Sequence, residues 1–492
     1  MRVPLRVPFG MPLGLRVELL GVPMRAAIQD IQSFIRSTRD VVYLRGADRL
    51  LIIRPNKLQH LNETAYAILD SLYTEGRTPD ETAGRMAARY GVPEAVIRKD
   101  MEGLLQSINA IMNEEYAQAP LISTIDFDPA SVVFPVLSEI AVTYRCQNRC
   151  DFCYASSPYR GADMREMTLD EIRLVIDKIC CEAQVPTISF TGGEPTLRDD
   201  LPAMIRHASE LGMRTNLITN GIRCADPAFV ADLAGAGLDS AQVSLESHRA
   251  DIHDAVTGNR GSHEKTLRGI ENLSKGGIYT HTNTTICMKN RGHLVALASF
   301  VKERFGFPYL SMNMIIATGI ARDNDNIRIG YSTIGEIINP LIDHCEVLGI
   351  KLVWYSPTPY CLFNPVDRNL GSKSCACVSG LLSVNPAGEV LPCSSFDRGV
   401  GSLVKHSFRY VWESDQALYW RERRYVPPVC RGCEYETMCG GACPLYWENA
   451  GSFAEIERVW DRKPALRNAL WALEHRLRVR TKGIRGITEK RG

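Results

Sequence analysis

Net charge is nearly absent from this 492-residue sequence: 57 Lys and Arg stand against 56 Asp and Glu, leaving +1 with histidine neutral. Such a balance gives no broad electrostatic footprint for nucleic acid or an anionic membrane, and neither is expected as a partner. No apolar stretch is long enough to span a bilayer. A clean secretory signal is missing too. The opening MRVPLRVPFGMPLGLRVELL mixes arginine with apolar residues, but Pro4, Pro8 and Pro12 break the run, Arg16 closes it early, and no small-residue cleavage site is evident. Also missing is any cysteine beyond Cys443.

Cysteine itself is not scarce. Sixteen cysteines would form a disulfide framework in a small secreted protein, but here many cluster at metal-ligand spacing in a large chain, which favours a reducing, cytoplasmic compartment. The apolar fraction of 45% and charged fraction of 23% are those of a soluble globular protein, and the length suggests two to four domains.

Residues 1–38 read as a loosely ordered leader. Residues 40–115 read as a small unit. VVYLRGADRLLII places two β-rich runs around a Gly-Ala-Asp turn, and NETAYAILDSLY carries apolar residues at helical spacing behind an Asn cap. Thr78, Pro79, Asp80 and Glu81 start a second helix that Gly91 ends, and PEAVIRKDMEGLLQSI makes a third. A hairpin followed by three short helices is winged-helix-like.

From 135 to 350 short β-branched runs alternate with amphipathic helices. SEIAVTYR, PTISFTGGEP, RTNLITNG, SAQVSLES, IYTHTNTTICMKN and YLSMNMIIATG are the strands, and Thr168 with Glu171 makes a capping box before LDEIRLVIDKICCEA. Repeated strand–helix units imply parallel strands with right-handed crossovers, and about six units are too few to close an eight-fold barrel. Ligands gather at the carboxyl ends of such strands.

At those ends lie the residues that carry chemistry. Cys146, Cys150 and Cys153 form CxxxCxxC within TYRCQNRCDFCYASS, and Thr191-Gly192-Gly193-Glu194-Pro195 follows the next strand. A cubic four-iron cluster has four corners and thiolates are its usual ligands, so three thiolates leave one iron open to a substrate or cofactor. Either motif alone has an ordinary reading, a zinc site short of a ligand or a glycine turn. Together, in this order and each after a strand, they resemble the radical S-adenosylmethionine (SAM) superfamily. That resemblance implies a partial (β/α)6 barrel in which a [4Fe-4S] cluster on Cys146, Cys150 and Cys153 binds SAM and yields a 5′-deoxyadenosyl radical. It also implies that Gly192, Gly193, Glu194 and Pro195 lie along the methionine part of SAM, with Glu194 accepting from its amino group. Asn220, within TNG, and Ser244 would approach the ribose or carboxylate. Cys180, Cys181, Cys224, Cys287 and Cys345 lack partner spacing and read as small core residues.

The front module, from LLIIRPNKLQHLNETAYAILD through GVPEAVIRKDMEGLL, resembles the PqqD-like peptide-recognition domain, which implies that a leader peptide is added as a strand beside the hairpin.

After residue 355 Pro, Gly and Cys become dense. Cys361, Cys375, Cys377 and Cys393 come first, with Gly388 five positions before Cys393, and CRGCEYETMCGGAC then sets Cys430, Cys433, Cys439 and Cys443 as CxxCxxxxxCxxxC. CxxC pairs aim two sulfurs at one point, for iron–sulfur or for structural zinc. With the upstream loop, residues 355–460 resemble the SPASM extension, which implies one or two auxiliary iron–sulfur clusters. On that pattern Cys377, Cys393 and Cys443 hold the first, with Cys361 or Cys375 as fourth ligand, and Cys430, Cys433 and Cys439 hold the second. The pattern's final downstream cysteine is missing here. Asp461 stands near its place, as a carboxylate ligand or as a cap of the basic segment 461–492; an open iron and no stable second cluster at all are the other outcomes.

The expected protein is therefore a radical SAM enzyme that modifies a ribosomally made precursor peptide or protein, by crosslinking (thioether or carbon–carbon), epimerisation or oxidative decarboxylation. It needs a one-electron donor such as a flavodoxin or ferredoxin. The alternatives are a maturase of a small haem or quinone precursor and a non-catalytic metal-binding scaffold or regulator.

Overall fold

The computed structural model describes residues 30–54, 57–113, 133–157, 164–377 and 380–459. The basic segment 461–492, with Asp461, and most of the leader lie outside these residues. The chain divides into two compact units, 1–133 and 134–492.

In the first unit, α1 (Ile31–Thr38) precedes β1 (Val42–Arg45), β2 (Leu50–Ile53) and β3 (Lys57–His60), then α2 (Glu63–Tyr73), α3 (Pro79–Tyr90) and α4 (Glu94–Met112). The caps are those the sequence predicts. The Asn62 side chain accepts from the Ala65 N–H, Thr78 and Glu81 form a capping box, and Gly91 closes α3 at φ 66°. The expected hairpin is a three-stranded antiparallel sheet in the order β1-β2-β3, so β1 and β3 are its edges. Its first turn is clamped by Arg45, whose Nε and Nη2 donate to the two carboxylate oxygens of Asp48 at 2.9 and 2.8 Å, both side chains being essentially buried.

Two features here depart from expectation. Part of the supposed leader is α1, capped by Asp30, and it docks through buried Ile35 and a 2.8 Å hydrogen bond between the Thr38 hydroxyl and Tyr73 Oη. Neither the docking surface nor the tyrosine is local in sequence. The missed strand β3 joins through Lys57, whose ammonium is buried and donates to the Ile111 and Met112 carbonyls at 2.8 and 3.0 Å. It satisfies carbonyls that the end of α4 leaves without helical partners.

The second unit alternates β4 (Leu137–Thr143), α5 (Leu169–Asp177), β5 (Thr187–Gly192), α6 (Leu201–Glu210), β6 (Arg214–Thr219), α7 (Pro227–Gly235), β7 (Ser240–Ser244), α8 (Ala250–Thr257), α9 (Ser262–Lys275), β8 (Tyr279–Ile286), α10 (Leu294–Phe305) and β9 (Tyr309–Met314). These six parallel strands are neighbours in sequence order. After α11 (Tyr331–Leu348), β10 (Lys351–Trp354) pairs parallel to β9, while β11 (Leu381–Val384) returns to pair parallel to β4. The sheet ends with β12 (Glu389–Leu391) and β13 (Gly401–Ser402), both antiparallel to their neighbours. β10 and β4 do not pair, so the barrel stays partial.

The cysteine-rich segment thus shares the barrel's sheet. The free backbone groups of β4 attract β11, and one apolar core runs from Ile140 and Phe190 through Trp354 to Trp447. Cys224, Cys287 and Cys345 are buried in it as expected, but Cys181 is exposed. α5 ends in a single π turn, with Ala183 N–H bonded to Lys178 carbonyl at 2.9 Å, and Cys181 lies on that turn. Among the described residues no helix is long and apolar enough to cross a membrane.

Candidate active site and cysteine groups

β4 delivers the first cysteine loop. Neighbouring elements strap the loop down: Arg149 N–H donates to the Thr257 carbonyl at 2.8 Å, Asp151 N–H to the Val256 carbonyl at 3.3 Å, and the Asn259 amide to Asn148 Oδ1 at 2.7 Å. Lys289 pairs with Asp151, and Ile320 N–H donates to the Cys153 carbonyl at 3.1 Å. The loop that carries the three sulfurs is thus held from α8, from the turn that follows it and from the segments after β8 and β9.

The turn after β5 is pressed against the same loop. Gly193 N–H donates to the Thr143 carbonyl and Glu194 N–H to the Arg145 carbonyl, each at 2.8 Å. This closeness explains the glycines. A Cβ on Gly192, which holds φ at 145°, would run into the Thr143 carbonyl oxygen; one on Gly193 would lie 2.5 Å from the Arg145 oxygen and 2.6 Å from that of Tyr144.

Glu194 is fully buried. Its Oε1 accepts from Thr196 N–H (3.1 Å), the Thr196 hydroxyl (2.7 Å) and the Thr219 hydroxyl (2.7 Å), and its Oε2 accepts from Asn220 N–H at 2.8 Å. With about two acceptor positions on each oxygen, Oε2 retains one for an external donor. Asn220 also accepts from the Gln147 amide at 3.2 Å, and its own amide lies 4.0 Å from the Cys146 sulfur. Pro195 begins a buried one-turn helix to Leu197. Ser244 ends β7 in register with Asn283 and takes no part in the Glu194–Asn220 network.

The cysteines keep part of their surface open, but their sulfurs are desolvated. Burial pushes the Cys146 thiol up to about 12, with Glu194 and Cys153 adding to the shift. Burial likewise raises Cys150 well above its ordinary value, helped by Cys153, Glu246 and Cys146. Burial raises Cys153 too, against the opposing pull of N–H groups of Ser157, Ala155 and Ser156 and the Ser157 hydroxyl. Three neighbouring thiols beside two buried carboxylates would repel one another if all ionised. Iron supplies the missing positive charge, and N–H donors around a sulfur are what tune a ligated cluster, so these residues fit a four-iron cube with an open corner.

Glu246 is a site residue the sequence reading missed. It lies two positions beyond β7, fully desolvated, with its carboxyl raised to about 8 by burial against a hydrogen bond from Thr285 N–H at 2.9 Å. A carboxylate just past a barrel strand, in SLES, was the signal available.

The downstream cysteines separate into two groups. Cys375 and Cys377 sulfurs lie 3.0 Å apart, too far for a disulfide of about 2.05 Å. Cys377 is raised by its contacts with Cys375 and Cys393, and Cys443 by burial and then by Cys375 and Cys393. The second group surrounds Cys430, which burial raises with further contributions from Cys439, Cys361 and Cys433. Of the two candidates for the first group, Cys375 therefore stands in it, whereas Cys361 acts on Cys430 in the second, its loop meeting Cys439 and Tyr435. Among the described residues no three His, Cys, Asp or Glu converge tightly enough for a single metal ion. Ligands of a cube sit at separate corners and are spread more widely.

Comparison with known proteins agrees with this geometry. The sequence model of the radical SAM superfamily matches residues 140–301, that of coenzyme PQQ synthesis protein D matches 49–110, and that of an iron-sulfur cluster-binding domain (SPASM) matches 375–434. An AdoMet-dependent heme synthase of Nitratidesulfovibrio vulgaris is 25% identical over 66% of this chain and 91% of its own length. A PqqA peptide cyclase of Granulibacter bethesdensis is 24% identical over 64% of this chain and 83% of its own. In fold, the chain is similar to Streptococcus suis SuiB bound to precursor peptide SuiA, with a TM-score of 0.61 at 14% identity over 83% of this chain and 95% of that one. The native anSMEcpe structure with bound AdoMet follows, with a TM-score of 0.51 at 17% identity over 66% of this chain and 99% of that one. The chain is a radical SAM superfamily enzyme, using a four-iron cluster with SAM, that carries a PqqD domain ahead of its barrel and an iron-sulfur cluster-binding domain behind it.

Proposed function

We propose that this enzyme modifies a ribosomally made precursor peptide, forming a crosslink, a thioether, an epimerised centre or an oxidative decarboxylation product. The observation that carries this reading is the three-stranded sheet whose outer strands among the described residues are β1 and β3, in one chain with a radical SAM barrel. An open strand edge offers a row of backbone donors and acceptors, which suits an extended leader of loosely defined sequence. Holding the leader raises the effective concentration of the peptide's attached core for the second unit.

When bound, the cluster and SAM supply the one-electron chemistry that removes hydrogen from an unactivated C–H bond. Cys146, Cys150 and Cys153 are the ligands we assign to that cluster, reduced by a donor such as a flavodoxin or ferredoxin in a cytoplasmic setting. The backbone of Gly192 and Gly193 and the remaining acceptor position of Glu194 would orient the amino group of SAM, and Asn220 couples that carboxylate to the cysteine loop. Cys375, Cys377, Cys393 and Cys443 would hold a further cluster that returns or removes the electron left after bond formation. Haem synthases among the relatives keep a small tetrapyrrole-type substrate as the second reading.

The test is a titration of the full chain with short peptides encoded beside its gene, followed by mass spectrometry of the peptide after anaerobic turnover with SAM. Binding followed by a mass change supports the proposal. Failure of every neighbouring peptide to bind, with SAM still cleaved, would favour the small-cofactor reading.

A further inference from the structure

We propose that Cys361 completes the second auxiliary cluster, joining Cys430, Cys433 and Cys439 from the upstream side and replacing the ligand that the sequence lacks after Cys443. The inference rests on the assignment of an iron-sulfur cluster-binding domain and concerns how this chain departs from that domain's pattern.

The geometry is built by the segment that follows β10. Ser356 anchors its start, its hydroxyl accepting from Met314 N–H at 2.8 Å. Tyr331 joins the next residue to the cysteine field: its hydroxyl donates to the Pro357 carbonyl at 3.0 Å and accepts from Cys443 N–H at 3.3 Å. The Cys439 thiol then points at the Thr358 carbonyl at 3.8 Å, and the Tyr360 N–H points back at the Cys439 sulfur. A tight turn, with Leu362 and Phe363 N–H both donating to the Pro359 carbonyl at 2.9 Å, carries Cys361 at its crest. The rings of Tyr360, next to Cys361 in sequence, and Tyr435, two residues past Cys433, meet at 5.8 Å.

The segment that leads into Cys361 is therefore held against Cys439 and Tyr435 of the second cysteine run. Cys439 meets the backbone at Thr358 and Tyr360, the latter next to Cys361, and the turn at Pro359 keeps Cys361 on that side of the chain. Cys375, the other cysteine weighed for the first group, is 3.0 Å from Cys377 and already makes that group four. Two sets of four thiolates close both auxiliary clusters. No iron in them is left open for a substrate sulfur, which confines both to moving electrons, and Asp461 has no ligand duty.

The test uses the full chain purified anaerobically, in a background with Cys146, Cys150 and Cys153 changed to Ala so that only auxiliary iron is counted. Iron and sulfide are measured, with Mössbauer and electron paramagnetic resonance spectra, for Cys361→Ala, Cys361→Ser, Cys430→Ala and Asp461→Ala. We expect Cys361→Ala and Cys430→Ala each to lose about half the iron or to convert one cube to a three-iron form, Cys361→Ser to keep iron with a changed spectrum, and Asp461→Ala to change neither. A full iron count with unchanged spectra in both Cys361 variants, or loss of iron in Asp461→Ala, overturns the proposal. A full count in Cys430→Ala as well would overturn it differently, by removing the second cluster altogether.

Discussion

The Asn220 N–H donates to Glu194 Oε2 at 2.8 Å, joining the carboxyl ends of β5 and β6 beneath the first cysteine loop. That bond is one of the four that hold a fully buried carboxyl, and the Asn220 side chain extends the link to Gln147 and Cys146.

Glu194→Gln would set an amide nitrogen against donors that need an acceptor. We expect a loss of stability of about 1–3 kcal/mol, typical of an unsatisfied buried group. SAM affinity should fall at least tenfold, while iron on the barrel cysteines is retained. Equilibrium dialysis with SAM and iron analysis of the same preparation check both parts; unchanged SAM affinity would remove Glu194 from the binding site.

Gly193→Ala places a methyl group 2.5 Å from the Arg145 carbonyl oxygen and 2.6 Å from that of Tyr144. Overpacking of this kind costs about 1–3 kcal/mol and here pushes the cysteine loop away from the turn after β5. SAM cleavage by the reduced protein is expected to fall more than tenfold. A variant with normal cleavage would show that the two loops need not touch.

Lys57→Met removes the cation that caps α4 while keeping the stem's volume. A charged donor to buried carbonyls contributes about 1.5–3 kcal/mol, so the first unit should unfold earlier, measured by protease cleavage within residues 57–112. Cluster content should stay normal. Unaltered protease resistance would mean water replaces the ammonium at no cost.

His281 lies in β8 with its ring wholly buried, 3.3 Å from the Gln242 amide, and burial lowers its value from 6.5 to about 4. The unfolded imidazole binds its proton near 6.5 and the folded one near 4, so this contribution is complete above pH 6.5 and is lost as pH falls toward 4. Between pH 7 and pH 5 the native protein should lose about 2 kcal/mol more stability than His281→Gln. Urea unfolding of both proteins at the two pH values gives the difference, and parallel losses would contradict it.

Much of the architecture could be read from local pattern. SEIAVTYR through YLSMNMIIATG became β4 to β9 in order, and the caps at Asn62, Thr78 and Thr168 lie where their side chains demanded. Elements whose stability comes from elsewhere were illegible: α1 depends on Tyr73, β3 on the end of α4, and β11 on the free edge of β4. Glu246 escaped notice because nothing local distinguishes a desolvated glutamate from a solvated one.

The sequence alone determined the chemistry of each cysteine run, because the spacing in CxxxCxxC and CxxC brings sulfurs together within a single turn of backbone. Only the tertiary structure decided which distant cysteines share a site. Cys361 lies on the side of the second group because Ser356 and Tyr331 fix the course of the segment that leads into it, and those bonds exist only once the barrel has folded.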